Sequence, residues 1–264
     1  MPRTDRDTAP TASAPATVAL FISDIHLQAD APRTVQAFFN FLQQARDVPQ
    51  LYILGDLFEY WAGDDDIDAP FNASVVSALR ALHDTGVVIS WIPGNRDFLI
   101  GERFARTAGV TLLADPSIIT VAGRRMVIAH GDVQCTDDVD YQAFRRQVRS
   151  PQWQQDFLAQ PLSQRLALIG KMREGSRLAQ RGKTVAIMDV NAQAVEALFM
   201  RSGTDLMIHG HTHRPARHVQ VINGVRHERR VLPDWDCETT LWRGGGLAVD
   251  ATGALHDVPL NEPA

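Results

Sequence analysis

Five short apolar runs each end in residues able to bind a metal, and this recurrence restricts the fold more than any other feature of the chain. VALFIS (18–23) runs into Asp24-Ile25-His26. LYIL (51–54) runs into Gly55-Asp56, and VVISWIP (87–93) into Gly94-Asn95-Arg96-Asp97. RRMVIA (124–129) meets His130-Gly131-Asp132, and LMI (206–208) meets His209, His211 and His213 of HGHTHRP. Apolar runs of this length read as buried strands. In open α/β sheets, ligands gather in the crevice at the carboxyl ends of strands. Five such ends therefore predict one shared polar crevice.

The segments between the runs supply helices. Residues 33–46 place Val35, Phe38, Phe39 and Leu42 on one helical face, and residues 72–84 do the same with Val75, Val76, Leu79 and Leu82. Asn72 or Ser74 is positioned to cap the second helix. Residues 118–130 read as two strands turning at Gly123, and Asn223-Gly224 is a two-residue hairpin signal. Strands alternating with helices, followed by hairpins, imply an α/β core with layers over a central sheet. Residues 136–188 break the rhythm: they are helical in period and rich in Gln and Arg, and read as an inserted cap. Residues 1–16, rich in Ala, Pro and Thr, have little to bury and read as a disordered tail before a domain spanning 17–264.

Seven side chains stand out at the strand ends: Asp24, His26, Asp56, Asn95, His130, His211 and His213. Carboxylate, imidazole and amide oxygen without thiolate suit Mn²⁺, Fe²⁺, Co²⁺ or Zn²⁺. If Asp56 bridges two ions, each ion receives four protein ligands. Singly, each residue also has a plain reading. Asp24 and His26 suit a turn, Asp56 a helix cap, Asn95 in PGN a turn, and His130 a hydrogen-bonded core position. The coincidence of all five strand ends favours the metal site. His209 falls outside the pattern and reads as a packing residue or one that orients its neighbours. Asp97 and Asp132 likewise read as orienting groups and not as ligands.

Composition narrows the partners. The chain of 264 residues carries a formal charge of −5, which supplies no global basic field for nucleic acid. Two cysteines, Cys135 and Cys237, form no CxxC pair, which argues against a disulfide framework and fits a cytoplasmic setting. No apolar run approaches the roughly 20 residues needed to span a bilayer. Nothing calls for an obligate dimer, so a monomer is expected.

The motifs Asp24-Ile25-His26, Gly55-Asp56, Gly94-Asn95-Arg96-Asp97, His130 and Gly210-His211-Thr212-His213 resemble, in order, those of the calcineurin-type metallophosphoesterases. The resemblance implies a four-layer α/β/β/α sandwich with an inserted helical cap. It implies that Asp24, His26, Asp56 and His213 hold one ion, and that Asp56, Asn95, His130 and His211 hold the other. Arg96 departs from the histidine that many members carry there. Arginine does not release a proton near neutrality, but it clamps phosphate oxygens.

At finer grain, FISDIHL, LGDLFEYW, PGNRDFLIG, HGDVQCTDDVDYQAFR, AIMDVN and IHGHTHRP resemble the UDP-2,3-diacylglucosamine hydrolase family of the lipid A pathway. That resemblance implies pyrophosphate cleavage by water attack at the α-phosphorus, with Mn²⁺ as the typical cofactor and UMP and lipid X as products. It implies a lipid-nucleotide substrate held by Asn95, Arg96, Asp138, Ser176, Gln180, Lys183 and His211. Gln180 stands where the family usually has asparagine. Arg96, Asp56 and His211 are the implied catalytic residues. Rival readings are another metallophosphoesterase acting on nucleotides or phosphodiesters, or a metal-bearing binding module without catalysis.

Between Tyr141 and Lys183, nine Lys/Arg face two acids, with Trp153, Phe157, Leu158, Leu162, Leu166, Leu168 and Ile169 interleaved. One reading is an ordinary amphipathic helical layer with its basic face solvated. The other is a lid whose apolar side takes acyl chains and whose basic side meets anionic headgroups. The resemblance favours the lid, and with it a peripheral association with the cytoplasmic face of the inner membrane.

Overall fold

Strand β1 (Thr17–Ile22) alternates its side chains between two cores, and this alternation sets the layering. Leu20 and Ile22 face one apolar cluster, while Ala19 and Phe21 face another. Strand β2 (Gln50–Ile53) repeats the pattern: Leu51 and Ile53 join the first cluster, and Tyr52 and the following Leu54 join the second. The period of two along a strand makes this separation automatic. The computed structural model describes residues 15–181 and 187–260, with side chains described for 15–175 and 187–260.

Among the described residues two sheets form, where the sequence pattern suggested layers over one. The first pairs β1 and β2 with β3 (Val88–Trp91), β4 (Val110–Leu112), β10 (Gly245–Asp250) and β11 (Leu255–Pro259), in the order β11-β10-β1-β2-β3-β4. The second contains β5 (Ser117–Val121), β6 (Arg124–Ala129), β7 (Leu206–His209), β8 (Ala216–Ile222) and β9 (Val225–Val231), in the order β5-β6-β7-β9-β8. The strands β1, β2 and β3 run parallel, as do β6 and β7, so their carboxyl ends share a direction within each sheet.

Helices cover both outer faces. Helix α1 (Pro32–Gln44) buries Ala37, Phe38, Phe41 and Leu42 on the first sheet, and α2 (Pro70–His83) buries Val75, Val76, Leu79 and Leu82. Both carry proline in the first turn, where its missing N–H costs nothing. The expected cap on α2 is absent: the cap position is Ala69, Asn72 donates to Asp66, and Ser74 donates to Phe71 O. Pro70 starts the helix two residues earlier than its apolar period suggests. A short α3 (Glu102–Ala108) follows β3. Helix α7 (Ala192–Ser202) packs Val195, Leu198 and Phe199 against Val127 and Met207 of the second sheet. The order is thus helix, sheet, sheet, helix, the four-layer α/β/β/α arrangement expected of a metallophosphoesterase.

Between β6 and α7 lie α4 (Val139–Val148), α5 (Pro151–Leu158) and α6 (Leu162–Arg181). Asp138 and Ser150 cap the first two by accepting from Tyr141 N and Trp153 N. Of the expected tail, residues 1–14 lie outside the described residues. Both cysteines are buried and free.

Candidate metal centre

The apolar strands stop at the crevice because the residues that follow leave the extended conformation. Among the described residues seven non-glycine residues have positive φ, and five of them are Asp24, His26, Asp56, His211 and His213, at 53°, 53°, 52°, 69° and 54°. Such residues are uncommon, and each carries a strain on the order of 1–3 kcal/mol that surrounding contacts must offset. Backbone bonds supply some of that support: Asp24 N and His26 N donate to the carbonyls of Gly55 and Asp56 at 3.1 and 3.0 Å. Glycine is required beside two of the carboxylates. A Cβ on Gly94 would lie 2.2 Å from Asp56 Oδ1, and one on Gly210 would lie 2.1 Å from Asp24 Oδ2.

The seven donors meet in two groups. In the first, His26 Nε2 lies 4.0 Å from both Asp24 Oδ1 and Asp56 Oδ2, and 3.3 Å from His213 Nε2. His213 Nε2 is 3.4 Å from Asp24 Oδ1. In the second, His130 Nε2 lies 3.8 Å from Asp56 Oδ2 and 2.8 Å from Asn95 Oδ1, which is also 2.8 Å from His211 Nδ1. Asp56 Oδ2 is common to both groups. Its other oxygen accepts from Arg96 N at 2.8 Å, which fixes the carboxylate with Oδ2 inward.

The donor chemistry fits divalent cations. His130 places its Nδ1 2.8 Å from the Leu54 carbonyl, which can only accept, so Nδ1 carries the proton and Nε2 presents its lone pair to the centre. Asn95 Oδ1 is then an acceptor facing an acceptor. Asp24 Oδ1 is fully buried with no hydrogen-bond partner. Converging lone pairs at this separation need positive charge among them. Without an ion the charge comes from protons. Burial would push His130 down, yet the Asp56 and Asp24 carboxylates raise it to about 9. Burial would likewise raise Asp24, and the three surrounding imidazoles hold it far below the usual carboxylate range. His211 moves the other way, to about 4, through burial and the neighbouring His130 charge.

A further set of residues surrounds the donors. Buried Asp97 accepts from Gly94 N and Leu57 N at 2.7 and 2.8 Å, and so holds the two loops that present Asp56 and Asn95. Its burial and the Asp56 charge raise it to about 6. Asp132 accepts from Tyr141 Oη at 2.6 Å and Arg145 Nε at 2.7 Å, tying α4 to the β6 end. Among the described residues, neither carboxylate has a hydrogen bond or ion pair to one of the seven donor atoms. His209 is occupied elsewhere, with Gly210 O at 2.8 Å and Arg229 Nη1 at 3.1 Å.

Two residues escaped the sequence analysis. Glu59 Oε2 lies 2.9 Å from His26 Nδ1, and burial notwithstanding, His26, Arg96 and Arg173 lower the Glu59 carboxyl to about 2. Asp234 Oδ2 lies 3.6 Å from His213 Nδ1 and accepts from Arg243 at 2.8 Å. The sequence signals for Glu59 were its place three residues after Asp56 and its presence in LGDLFEYW, one of the stretches that carry the family resemblance.

A cavity of about 660 Å³ opens over the donors, lined by His26, Asp56, Asn95, Arg96, Asp138, His211 and His213 on its polar side. Its other walls are Trp61, Phe98, Leu99, Trp153, Phe157, Ile169 and Met172. The size falls in the range of ligand pockets, roughly 300–1,000 Å³. Ser176 and Gln180 lie on α6 with side chains outside the described residues, and Lys183 lies wholly outside them. Among the described residues of the cap, four of the basic side chains are paired inward. Arg145 binds Asp132 and Asp115, Arg149 donates to the carbonyls of Pro93 and Gly94, Arg165 pairs with Asp65, and Arg173 pairs with Glu59. A cap with a wholly solvated basic face is therefore not what forms.

Comparison with known proteins agrees with this geometry. A family model described as "Calcineurin-like phosphoesterase" matches residues 18–215. The chain is 53% identical over 234 residues to a UDP-2,3-diacylglucosamine hydrolase of Aromatoleum aromaticum, covering 88% of this chain and 95% of that protein. It is 48% identical to one from Cellvibrio japonicus, covering 89% and 95% of the two chains. One from Stenotrophomonas maltophilia is 46% identical, covering 92% and 99%.

Proposed function

This chain belongs to the calcineurin-like phosphoesterases, and from that premise we propose that it is a UDP-2,3-diacylglucosamine hydrolase acting in lipid A biosynthesis. It cleaves the pyrophosphate bond of its lipid nucleotide to give UMP and 2,3-diacylglucosamine 1-phosphate. The observation that carries this reading is the shared Asp56 Oδ2, 4.0 Å from His26 Nε2 and 3.8 Å from His130 Nε2, at the polar end of a cavity large enough for an amphiphile. The names and high identity of its relatives support the substrate.

Asp24, His26, Asp56 and His213 would hold one divalent ion, and Asp56, Asn95, His130 and His211 the other, both Mn²⁺ in our reading. Such a pair, when bound, lowers the pKa of water from about 15.7 toward about 7 and neutralises charge on a phosphoryl group. Arg96, on the cavity wall, clamps the phosphoryl oxygens as negative charge develops on them. It supplies no proton, and the departing sugar phosphate, a weak base, needs none. Asn95 turns Oδ1 to the histidines, which leaves its amide N–H groups to donate to phosphate. His211, stacked on the Tyr141 ring at 5.9 Å and lining the cavity, borders the same phosphate position. Asp138, Ser176, Gln180 and Lys183 contact the nucleotide or sugar. Water attacks at the α-phosphorus, on the UMP side.

The cap formed by residues 136–188 acts as a lid. Phe98, Trp153, Phe157 and Ile169 on the cavity wall take the acyl chains. Val139, Phe144, Leu158 and Leu168, exposed by 68, 41, 42 and 37%, rest the protein peripherally on the cytoplasmic face of the inner membrane. Among the described residues no helix is long and apolar enough to cross it. A single chain furnishes all seven ligands, consistent with action as a monomer.

Turnover of UDP-2,3-diacylglucosamine in ¹⁸O-water tests the assignment. The label is expected in UMP; label in the sugar phosphate would place attack on the other phosphorus. A chain that leaves this substrate intact but cleaves aryl phosphodiesters would instead be another phosphoesterase of the family. Arg96→Ala should lose about 10²-fold or more in kcat, the scale of removing one charge-stabilising donor, with metal content unchanged. Washing membranes with alkaline carbonate should release the protein, since no segment spans the bilayer in this reading.

A further inference from the structure

The carboxylate of Glu59 has a partner on each oxygen, and the two partners belong to different parts of the molecule. Oε2 lies 2.9 Å from His26 Nδ1, the ring nitrogen facing away from the donor cluster. Oε1 accepts from Arg173 Nη2 at 2.7 Å, and Arg173 is on α6. The Glu59 backbone is not free to follow either partner, because its N–H donates to Leu27 O at 3.1 Å beside the bridge between Leu27 and Phe58. Arg173 lies over the Tyr60 ring at 5.5 Å and reaches Gln28 at 3.4 Å, so its contacts to the core run through this one loop and the β1 end.

A carboxylate on the outer nitrogen of a ligating histidine fixes the tautomer and ring orientation. Here the same carboxylate also holds a cationic side chain of the cap. We propose that Glu59 is a positioning residue that couples the two, so that metal occupancy at His26 and docking of α6 stabilise one another. With an ion present, His26 keeps Nδ1 protonated toward Glu59, the carboxylate stays in place, and Arg173 finds its partner. Without the ion, His26 gains other rotamers and Glu59 loses one of its two restraints. By linkage the reverse holds: a docked α6 strengthens metal binding by the same factor.

This inference rests on the metal-site reading, and its test does not use turnover, so the two can fail separately. Metal content after dialysis against graded free Mn²⁺ would be measured beside hydrogen exchange of the α6 peptide covering residues 162–175, with and without Mn²⁺. In the parent protein, Mn²⁺ should slow exchange of that peptide. Glu59→Ala should weaken Mn²⁺ binding by about 10–100-fold, the usual effect of losing such a partner, and abolish the metal dependence of α6 exchange. Arg173→Met keeps the His26 contact and the alkyl bulk; it should lose the metal dependence of exchange while binding Mn²⁺ less than about tenfold more weakly. Glu59→Asp should recover part of both effects. Should Mn²⁺ leave α6 exchange unchanged in the parent protein, or should Glu59→Ala retain parental metal affinity, the coupling does not exist. Arg173→Met covers the case in which Glu59→Ala fails to fold: if its α6 exchange still responds to Mn²⁺ as in the parent, the coupling through Arg173 is wrong.

Discussion

The two halves of the candidate metal centre are built from similar donors but anchored in different ways. The half containing His130 sits in the core. Its imidazole is fully buried and hydrogen-bonds the Leu54 carbonyl at 2.8 Å, joining the end of one sheet to the other. The half containing His26 and His213 faces the cavity mouth, with side chains 18 and 41% exposed. Their outer nitrogens face carboxylates, Glu59 at 2.9 Å and Asp234 at 3.6 Å. A backbone carbonyl in a packed sheet cannot move without unfolding, whereas a side-chain carboxylate, even one as covered as Glu59 or Asp234, can turn about its own torsions. One ion should therefore be fixed by the fold and the other held by charges that rearrange.

Asp56 is the one residue that this comparison cannot divide. Asp56→Ala should empty both halves and lower kcat by on the order of 10³-fold or more, about 4 kcal/mol of lost charge stabilisation. Metal analysis beside turnover checks it. A variant that kept one full ion per chain would show the halves to be independent.

The next contrast separates stability from binding. In metal-free protein, His130→Ala should cost about 2–4 kcal/mol by urea unfolding, since it opens a cavity and strands the Leu54 carbonyl. His213→Ala, at a part-exposed position where water can replace the imidazole beside Asp24, should cost about 1 kcal/mol or less. Equal losses would remove the distinction between a core half and a surface half.

The donors of both halves were legible in sequence while their outer partners were not, and the reason is physical. A strand buried on both faces is a continuous apolar run, and the polar residue that ends it is conspicuous. Ala129 before His130 and Ile208 before the histidine cluster are such ends. Glu59 and Asp234 sit in loops where an acid has no periodic context and looks like any solvated residue. The cap shows a second limit. Its helical period was readable, but the partners of Arg145 lie 13 and 30 positions away and those of Arg165 and Arg173 100 and 114, and no local pattern announces them. The absent cap on α2 is a third case: Pro70 moved the helix start, so Asn72 became an interior residue and turned its amide to Asp66.

Graded chelation gives a smaller effect. As free metal falls, the ion at His26 and His213 should leave first, with an intermediate near one ion per chain if the affinities differ by about tenfold, 1.4 kcal/mol. In His213→Ala the first step should vanish and the second remain. Loss of both ions in one step from the parent protein would mean that Asp56 couples them more strongly than their surroundings distinguish them.

His209 should have the least effect of all, although it stands in the same cluster as two ligands. Its position in β7 turns it away from the centre, because alternate residues of a strand face opposite sides and His211 and His213 follow only after the chain leaves the strand. Both ring nitrogens are engaged, one by Gly210 O at 2.8 Å and the other by Arg229 at 3.1 Å. Burial, followed by the Arg229 charge, lowers the imidazole to about 3, so it is neutral and accepts from the guanidinium. His209→Gln should leave two ions per chain and change kcat less than about threefold, under 1 kcal/mol. It should lower stability by about 1–2 kcal/mol as the Arg229 contact weakens. Loss of an ion from this variant would make His209 an eighth contributor and join the core half to β9 through Arg229.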